Sequence, residues 1–208
     1  MRVSELSQQS GVSTASIKYY VREGLLPAPD RVGYNRSEYG SAHVARLRLI
    51  RSLLDVGGLS VSATRTVLAA VDDDELPIER LMGTAQRSIP VPEGRPSRTA
   101  VAAIGRVGDS LGWHVQPDNP GILIAARVLE HYEALELQEL ASLLEAFATA
   151  ADAVARAEVA VAAAAGDRDR MAAIVAVGTV LGDSLFAGLR RIAQEAAAHD
   201  ARPQHTTD

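Results

Sequence analysis

The chain has 208 residues, more than one ordinary domain of ~100 to 200, so two modest domains are expected. Its 47% hydrophobic and 23% charged residues suit a buried core and argue against a disordered chain. It contains no cysteine, which excludes disulfides, thiolate metal ligands and a cysteine nucleophile together.

The net charge of −5 is unevenly spread. Residues 1–70 hold nine Lys and Arg against five Asp and Glu, or +4, while the other 138 hold twelve against twenty-one, or −9. A basic binding module joined to an acidic domain has this asymmetry. The opening MRVSELSQQS lacks the apolar stretch of a secretory signal, and no run of about 18 apolar residues stands out. A soluble cytoplasmic protein with no membrane partner is therefore expected.

In chain order, Ser4 is placed to cap a short helix with Leu6 inward and Gly11 as its end. Ser13 caps a second helix running to about Glu23, with Gly24 as its stop. This is helix, tight turn, helix, the unit whose second helix enters the DNA major groove. Within TASIKYYVREGLL, Ile17, Tyr20 and Val21 share one face, with Tyr20 expected to pack on Leu6 and Val12. Ala15, Lys18, Tyr19 and Arg22 share the other. There Tyr19 offers a phenolic donor beside two cations for phosphate oxygens, and small Ala15 and Ser16 permit close approach.

LLPAPDRVGYNRSEY, residues 25–39, carries the turn signals of a short β-hairpin, or wing. Residues 41–56 form a helix with Val44, Leu47, Ile50 and Leu54 inside and Arg46, Arg48 and Arg51 outside, stopped by Gly57 and Gly58. Ser60 caps VSATRTVLAAV, which the acidic run at 72–75 closes. ELPIERLMGTAQRSI forms one helix before the proline-rich linker IPVPEGRPS at 89–97. Ser97 then caps a helix to about Leu111, and GWHVQPDNPG is a loop. Helices follow at roughly 121–135, 137–165 and 168–198, before a disordered tail. The fold class is mainly all-α: a winged helix-turn-helix with a small β wing, plus a C-terminal helical bundle.

The first 70 residues, through VSELSQQSGVS, TASIKYYVREGLL, GYNRSEY and GGLSVSATRTVL in that order, resemble the MerR family of bacterial transcription regulators. The resemblance implies a homodimer on a palindromic double-stranded promoter, with recognition helices in major grooves and wings on the flanking backbone. RNA polymerase would be affected indirectly, at the promoter. It implies DNA contacts from Ser13, Thr14, Ala15, Ser16, Lys18, Tyr19 and Arg22 in the helix-turn-helix, and from Arg31, Tyr34, Arg36 and Tyr39 in the wing. The chain departs from the family pattern at Lys18, where arginine is more usual, at Asn35, and at the prolines that interrupt the helix after residue 75. Residues 74–88 are the first candidate for the dimer interface and the long C-terminal helices the second.

The expected organisation is residues 1–71 for DNA binding, 72–96 as connecting helix and linker, 97–200 as effector or signal domain, and 201–208 as tail. LGWHVQPDNPG and GTVLGDSLFAGLRRIAQE resemble helical effector regions attached to MerR-like domains in some actinobacterial regulators. An apolar small-molecule pocket there would have Trp113 and His114 near its mouth and Phe147, Met171 and Phe186 as walls. The same residues also fit ordinary core packing. Glu130, Glu133, Glu136 and Glu139 read as a solvated face. The five histidines are scattered without ligand spacing, so no metal and no cofactor are expected. No phosphate loop, nucleophile elbow or dinucleotide fingerprint argues for catalysis. The alternative is an architectural or excisionase-like DNA protein whose C-terminal helices bind partner proteins and no small molecule.

Overall fold

The computed structural model describes residues 1–31, 37–91 and 93–201; within these, the side chains of Arg31 and Ser37 are also outside the description. The chain is mostly helical, with one two-stranded sheet among the described residues. Contacts group it into two compact units, Met1–Val61 with Val177–Asp208, and Ser62–Ala176. This division falls at Ser62, before the boundary at 71/72 read from the sequence, and divides the last helix.

In the first unit, α1 spans Val3–Ser10 and begins one residue before Ser4. The Glu5 carboxylate, not a serine, closes this end by accepting the Arg2 N–H at 2.8 Å. Gly11, at φ 68°, ends α1 in the left-handed region that glycine enters without strain. Helix α2 covers Thr14–Arg22, and α3 covers Ser41–Arg51. α1 packs on both. Leu6, Ile17, Leu25, Leu26, Leu47, Ile50 and Leu53 are fully buried in this unit. Each such side chain contributes about 1.5–3 kcal/mol on leaving water.

Beyond Arg51 the helix widens into a π-helical turn over Ser52–Val56, with the Gly57 N–H donating to Ser52 O at 2.9 Å. This corrects the sequence expectation. The wider winding holds one more residue than an α-turn, so Leu53 is fully buried and Leu54 only half-buried. Gly57 is required by closeness, not by its backbone angle. A Cβ there would collide with Val180 Cγ1 and stand 2.8 Å from Leu53 O.

The second unit contains α4 (Val61–Val71), α5 (Ile78–Ser88), α6 (Arg98–Ser110), α7 (Pro120–Ala134), α8 (Gln138–Ala141) and α9 (Leu144–Ala163). Ser97 Oγ accepts the Ala100 N–H at 3.2 Å and caps α6 as its sequence requires. The expected continuous helix over 137–165 is instead broken between α8 and α9. Glu130 also leaves its expected solvated face: its carboxylate accepts the Ser97 N–H at 2.5 Å and pairs with Arg127 at 3.4 Å. The Ser97 bond, ahead of Arg127, holds its pKa below the ordinary carboxylate value.

Helix α10, Arg168–Asp200, is by length and composition long and apolar enough to cross a membrane, with a mean hydropathy of 1.8 over 18 residues. No such run stands out in the sequence because Gly178, Thr179, Gly182, Asp183 and Ser184 interrupt the apolar residues without lowering their average far. Ala172, Val175, Ala176 and Val180 are nevertheless buried at helical spacing within the fold. The Asp183 carboxyl is pushed above its ordinary pKa by burial.

Candidate nucleic-acid interface

The turn between α1 and α2 is held by short local bonds. Ser7 Oγ donates to Val12 O at 2.6 Å and Ser10 Oγ to Leu6 O at 2.7 Å, which fixes Val12 in the core. Ser13 Oγ accepts the Ser16 N–H at 3.0 Å, satisfying one of the free donors at the start of α2. At the other end Gly24 has φ 71°, and the Leu25 and Leu26 N–H groups both return to Tyr20 O. Ser7, Ser10 and Ser13, with Gly11 and Gly24, thus set the length and position of α2.

The helix presents a polar outer face. Ser13, Thr14, Ala15, Lys18 and Arg22 are exposed, Ser16 and Tyr19 half-buried, and Ile17 fully buried. The Arg22 guanidinium lies over the Tyr19 ring, 5.1 Å from its centroid, and its Nε is 3.5 Å from Glu23 Oε1. The ring and the neighbouring carboxylate hold the cation near the surface, where the pair is weak in water and open to replacement by a phosphate.

Tyr20 is less deeply placed than its inward assignment suggested. It is half-buried, with its ring 5.9 Å from that of Tyr19 at a tilt of 57°. Burial, followed by the Asp55 charge, pushes its pKa above the ordinary phenol value. It is neutral at physiological pH and retains its O–H donor.

Arg46 was expected outside but is half-buried, and its Nε–H donates to Leu25 O at 2.9 Å. The guanidinium thereby ties α3 to the segment that leaves α2. Arg48 and Arg51 are exposed as expected, with Arg51 Nε 2.8 Å from Asp55 Oδ2.

The wing is an antiparallel pair of β1, Asp30–Arg31, and β2, Ser37–Glu38, in the register Asp30 to Glu38 and Arg31 to Ser37. Tyr34 and Arg36 lie outside the described residues, as does the side chain of Arg31. Tyr39 is half-buried, and its ring meets His43 edge-on at 5.1 Å. Its N–H donates to Met1 O at 2.9 Å, and burial raises its phenol pKa. His43 Nδ1 accepts the Gly40 N–H at 3.0 Å and closes the start of α3. The wing's base is therefore fixed by Tyr39 and His43, a role the sequence reading had not given to either.

The five residues considered for a ligand differ in their surroundings. Trp113 Nε1–H donates to Asp152 Oδ1 at 2.8 Å, and its ring lies over Gly108. His114 and Phe147 are exposed, while Met171 and Phe186 are half-buried and belong to different compact units. An open cavity of about 450 Å³ is lined by Ser62, Ala63, Thr66, Thr84, Arg87 and Ser88, none of them among the five.

The family model for MerR HTH regulatory proteins matches residues 1–71. The mercuric resistance operon regulatory protein of Bacillus cereus is 34% identical over 74 residues, which is 36% of this chain and 55% of that protein. The HTH-type transcriptional regulator HmrR of Sinorhizobium medicae is 38% identical over 69 residues, 33% of this chain and 46% of that protein. The chain thus spans about half the length of the curated relatives it matches. A crystal structure of a protein assigned as a transcriptional regulator, from Streptomyces coelicolor A3(2), aligns with 100% of this chain and 99% of its own at 30% identity, with a TM-score of 0.69. Together with the capped helix-turn-helix and its paired wing, these likenesses establish that the chain belongs to the MerR family.

Proposed function

We propose that the protein is a dimeric, sequence-specific transcriptional regulator that binds a palindromic promoter and answers a small-molecule signal through its helical C-terminal portion. The observation that carries this reading is α2: capped by Ser13, stopped by Gly24, and turning Lys18 and the Arg22–Tyr19 pair outward. Lys18 supplies a compact point charge for a phosphate, and Arg22 a planar donor fork. Thr14, Ala15 and Ser16 are small enough to let the helix enter the groove, and the wing, with Arg31, Tyr34, Arg36 and Tyr39 as its candidates, would lie on the flanking backbone.

In this proposal residues 1–71 bind DNA, residues 72–96 connect, and residues 97–200 carry the signal. RNA polymerase is influenced at the promoter, the protein works in the cytoplasm at the nucleoid, and it catalyses no reaction. The acidic C-terminal portion does not compete for DNA, which leaves the basic N-terminal portion to bind it.

The test is fluorescence anisotropy of purified protein on the intergenic DNA beside its own gene, at two salt concentrations and against scrambled competitor. Specific, salt-sensitive binding at two chains per site is expected. Equal affinity for scrambled DNA would overturn sequence-specific regulation.

A further inference from the structure

The cavity between α4 and α5 lies wholly within the second unit. Ser62, Ala63 and Thr66 line it from the start of α4, and Thr84, Arg87 and Ser88 from the end of α5, around an open volume of about 450 Å³. That volume suits a metabolite rather than a packing defect. Its polar lining is four hydroxyls and one guanidinium, with no carboxylate among the six residues.

The cation is placed and uncommitted. Arg87 leans back along α5, so that a Cβ on Gly83 would stand 3.2 Å from both terminal nitrogens of its guanidinium. Glycine in the middle of a helix is disfavoured against alanine; at position 83 it leaves room for the guanidinium to lie on the helix. No hydrogen bond or ion pair joins that guanidinium to another described residue. Arg46, Arg127, Arg156 and Arg168, by contrast, are each bonded to a carbonyl or a carboxylate. The hydroxyls are set the opposite way. Thr66 Oγ1 donates to Ser62 O at 3.2 Å, Thr84 Oγ1 to Arg80 O at 2.9 Å and Ser88 Oγ to Thr84 O at 2.8 Å. Each commits its one hydrogen to the carbonyl a turn back, which leaves lone pairs for a ligand.

We propose that this cavity binds a small hydroxylated anion, a carboxylate or phosphate monoester that carries hydroxyl groups. The Arg87 guanidinium takes the anionic end through its planar donor fork. The hydroxyl oxygens of Thr66, Thr84 and Ser88 accept from the hydroxyls of the ligand. A neutral polyol leaves the guanidinium without a counter-charge, and a fatty carboxylate sets methylenes against three acceptors, so both bind less well. All six lining residues precede residue 97, so the site is separate from the C-terminal signal region of the proposed function and stands or falls without it.

The test is calorimetric titration of the full-length chain at low salt with four probes: gluconate, glycerol phosphate, hexanoate and glucose. Gluconate, glycerol phosphate or both should bind, with hexanoate and glucose weaker by about tenfold or more. Binding of gluconate alone would assign the anionic end to a carboxylate, and of glycerol phosphate alone to a phosphate. Arg87→Gln should weaken the bound probe by about tenfold or more, the loss of a charge-assisted fork, with an unchanged melting temperature. Gly83→Ala supplies a second variant that does not threaten the fold: it favours the helix, displaces the guanidinium and should weaken the same probe without loss of stability. Failure of both anions to bind, affinity that survives Arg87→Gln, or hexanoate binding as well as gluconate would each overturn the inference. If no anion binds and Arg87→Gln instead weakens operator binding, the cation belongs to the DNA interface. Operator binding that is intact while no anion binds would overturn the inference and leave the proposed function standing.

Discussion

Arg46 and Leu25 are joined by a guanidinium-to-carbonyl hydrogen bond of 2.9 Å across twenty-one residues of chain. The bond satisfies a carbonyl just beyond the end of α2 and couples the position of α2, the helix proposed to face DNA, to α3. Arg46→Met keeps the aliphatic stem but removes the donor. It should lower unfolding stability by about 1–2 kcal/mol, read from urea denaturation, and weaken DNA binding through loss of helix placement. Unchanged stability would show that the bond contributes nothing net.

Lys18 is exposed on α2 with no neighbour competing for its charge among the bonds described above. Lys18→Ala should reduce affinity across all sequences and lower the slope of log K against log salt by about 0.9 in magnitude, the share of one phosphate contact. Anisotropy over a salt series reads both. A loss confined to one base position would place Lys18 on a base edge, and no change would remove it from the interface.

Gly57 lies against Val180 with no room for a methyl group. Gly57→Ala should destabilise the first unit by about 1–3 kcal/mol through overpacking, seen as a lower midpoint of chemical denaturation. Val180→Ala in the same chain should restore part of the loss, since it removes the colliding atoms. Failure of that rescue would assign the cost to the backbone near Leu53 O.

Asp152 is the acceptor for both Trp113 and Arg156, and these bonds, Arg156 first, hold its pKa below the ordinary 3.8. A carboxyl whose folded pKa is depressed contributes stability that is fully present above its unfolded pKa and is lost as pH falls through the folded value. Trp113 is the sole tryptophan, so its fluorescence reports the bond directly. Emission should be steady above about pH 4 and change below it, and Asp152→Asn should remove that transition. The same transition in the variant would assign it to another group.

The sequence made α2 legible because its limits are local. Ser13, Gly11 and Gly24 act within three or four residues of themselves, and the 3.6-residue period separates Ile17 from Lys18. The paired strands and the cap at Ser97 were legible for the same reason. Arg46 was misplaced because its acceptor lies in a distant segment, and a helical wheel records only direction. Glu130 was placed on a solvated face for the same reason, since its partner Ser97 is thirty-three residues away. Leu54 was placed inside and Leu53 passed over because an α-helical period cannot register a π turn. The grouping of Trp113 with Asp152 depended on a contact thirty-nine residues apart, which no spacing rule contains.

The π turn at Ser52–Val56 also bears on how this chain can change over generations. Removing one residue there would restore ordinary α winding and leave the following backbone near its present angle, with Gly57 still beside Val180. A lost codon within regular α winding turns everything beyond it by about 100°; here a single in-frame deletion is absorbed by the wide turn, so the segment's length is under looser constraint than that of the α-helix before it.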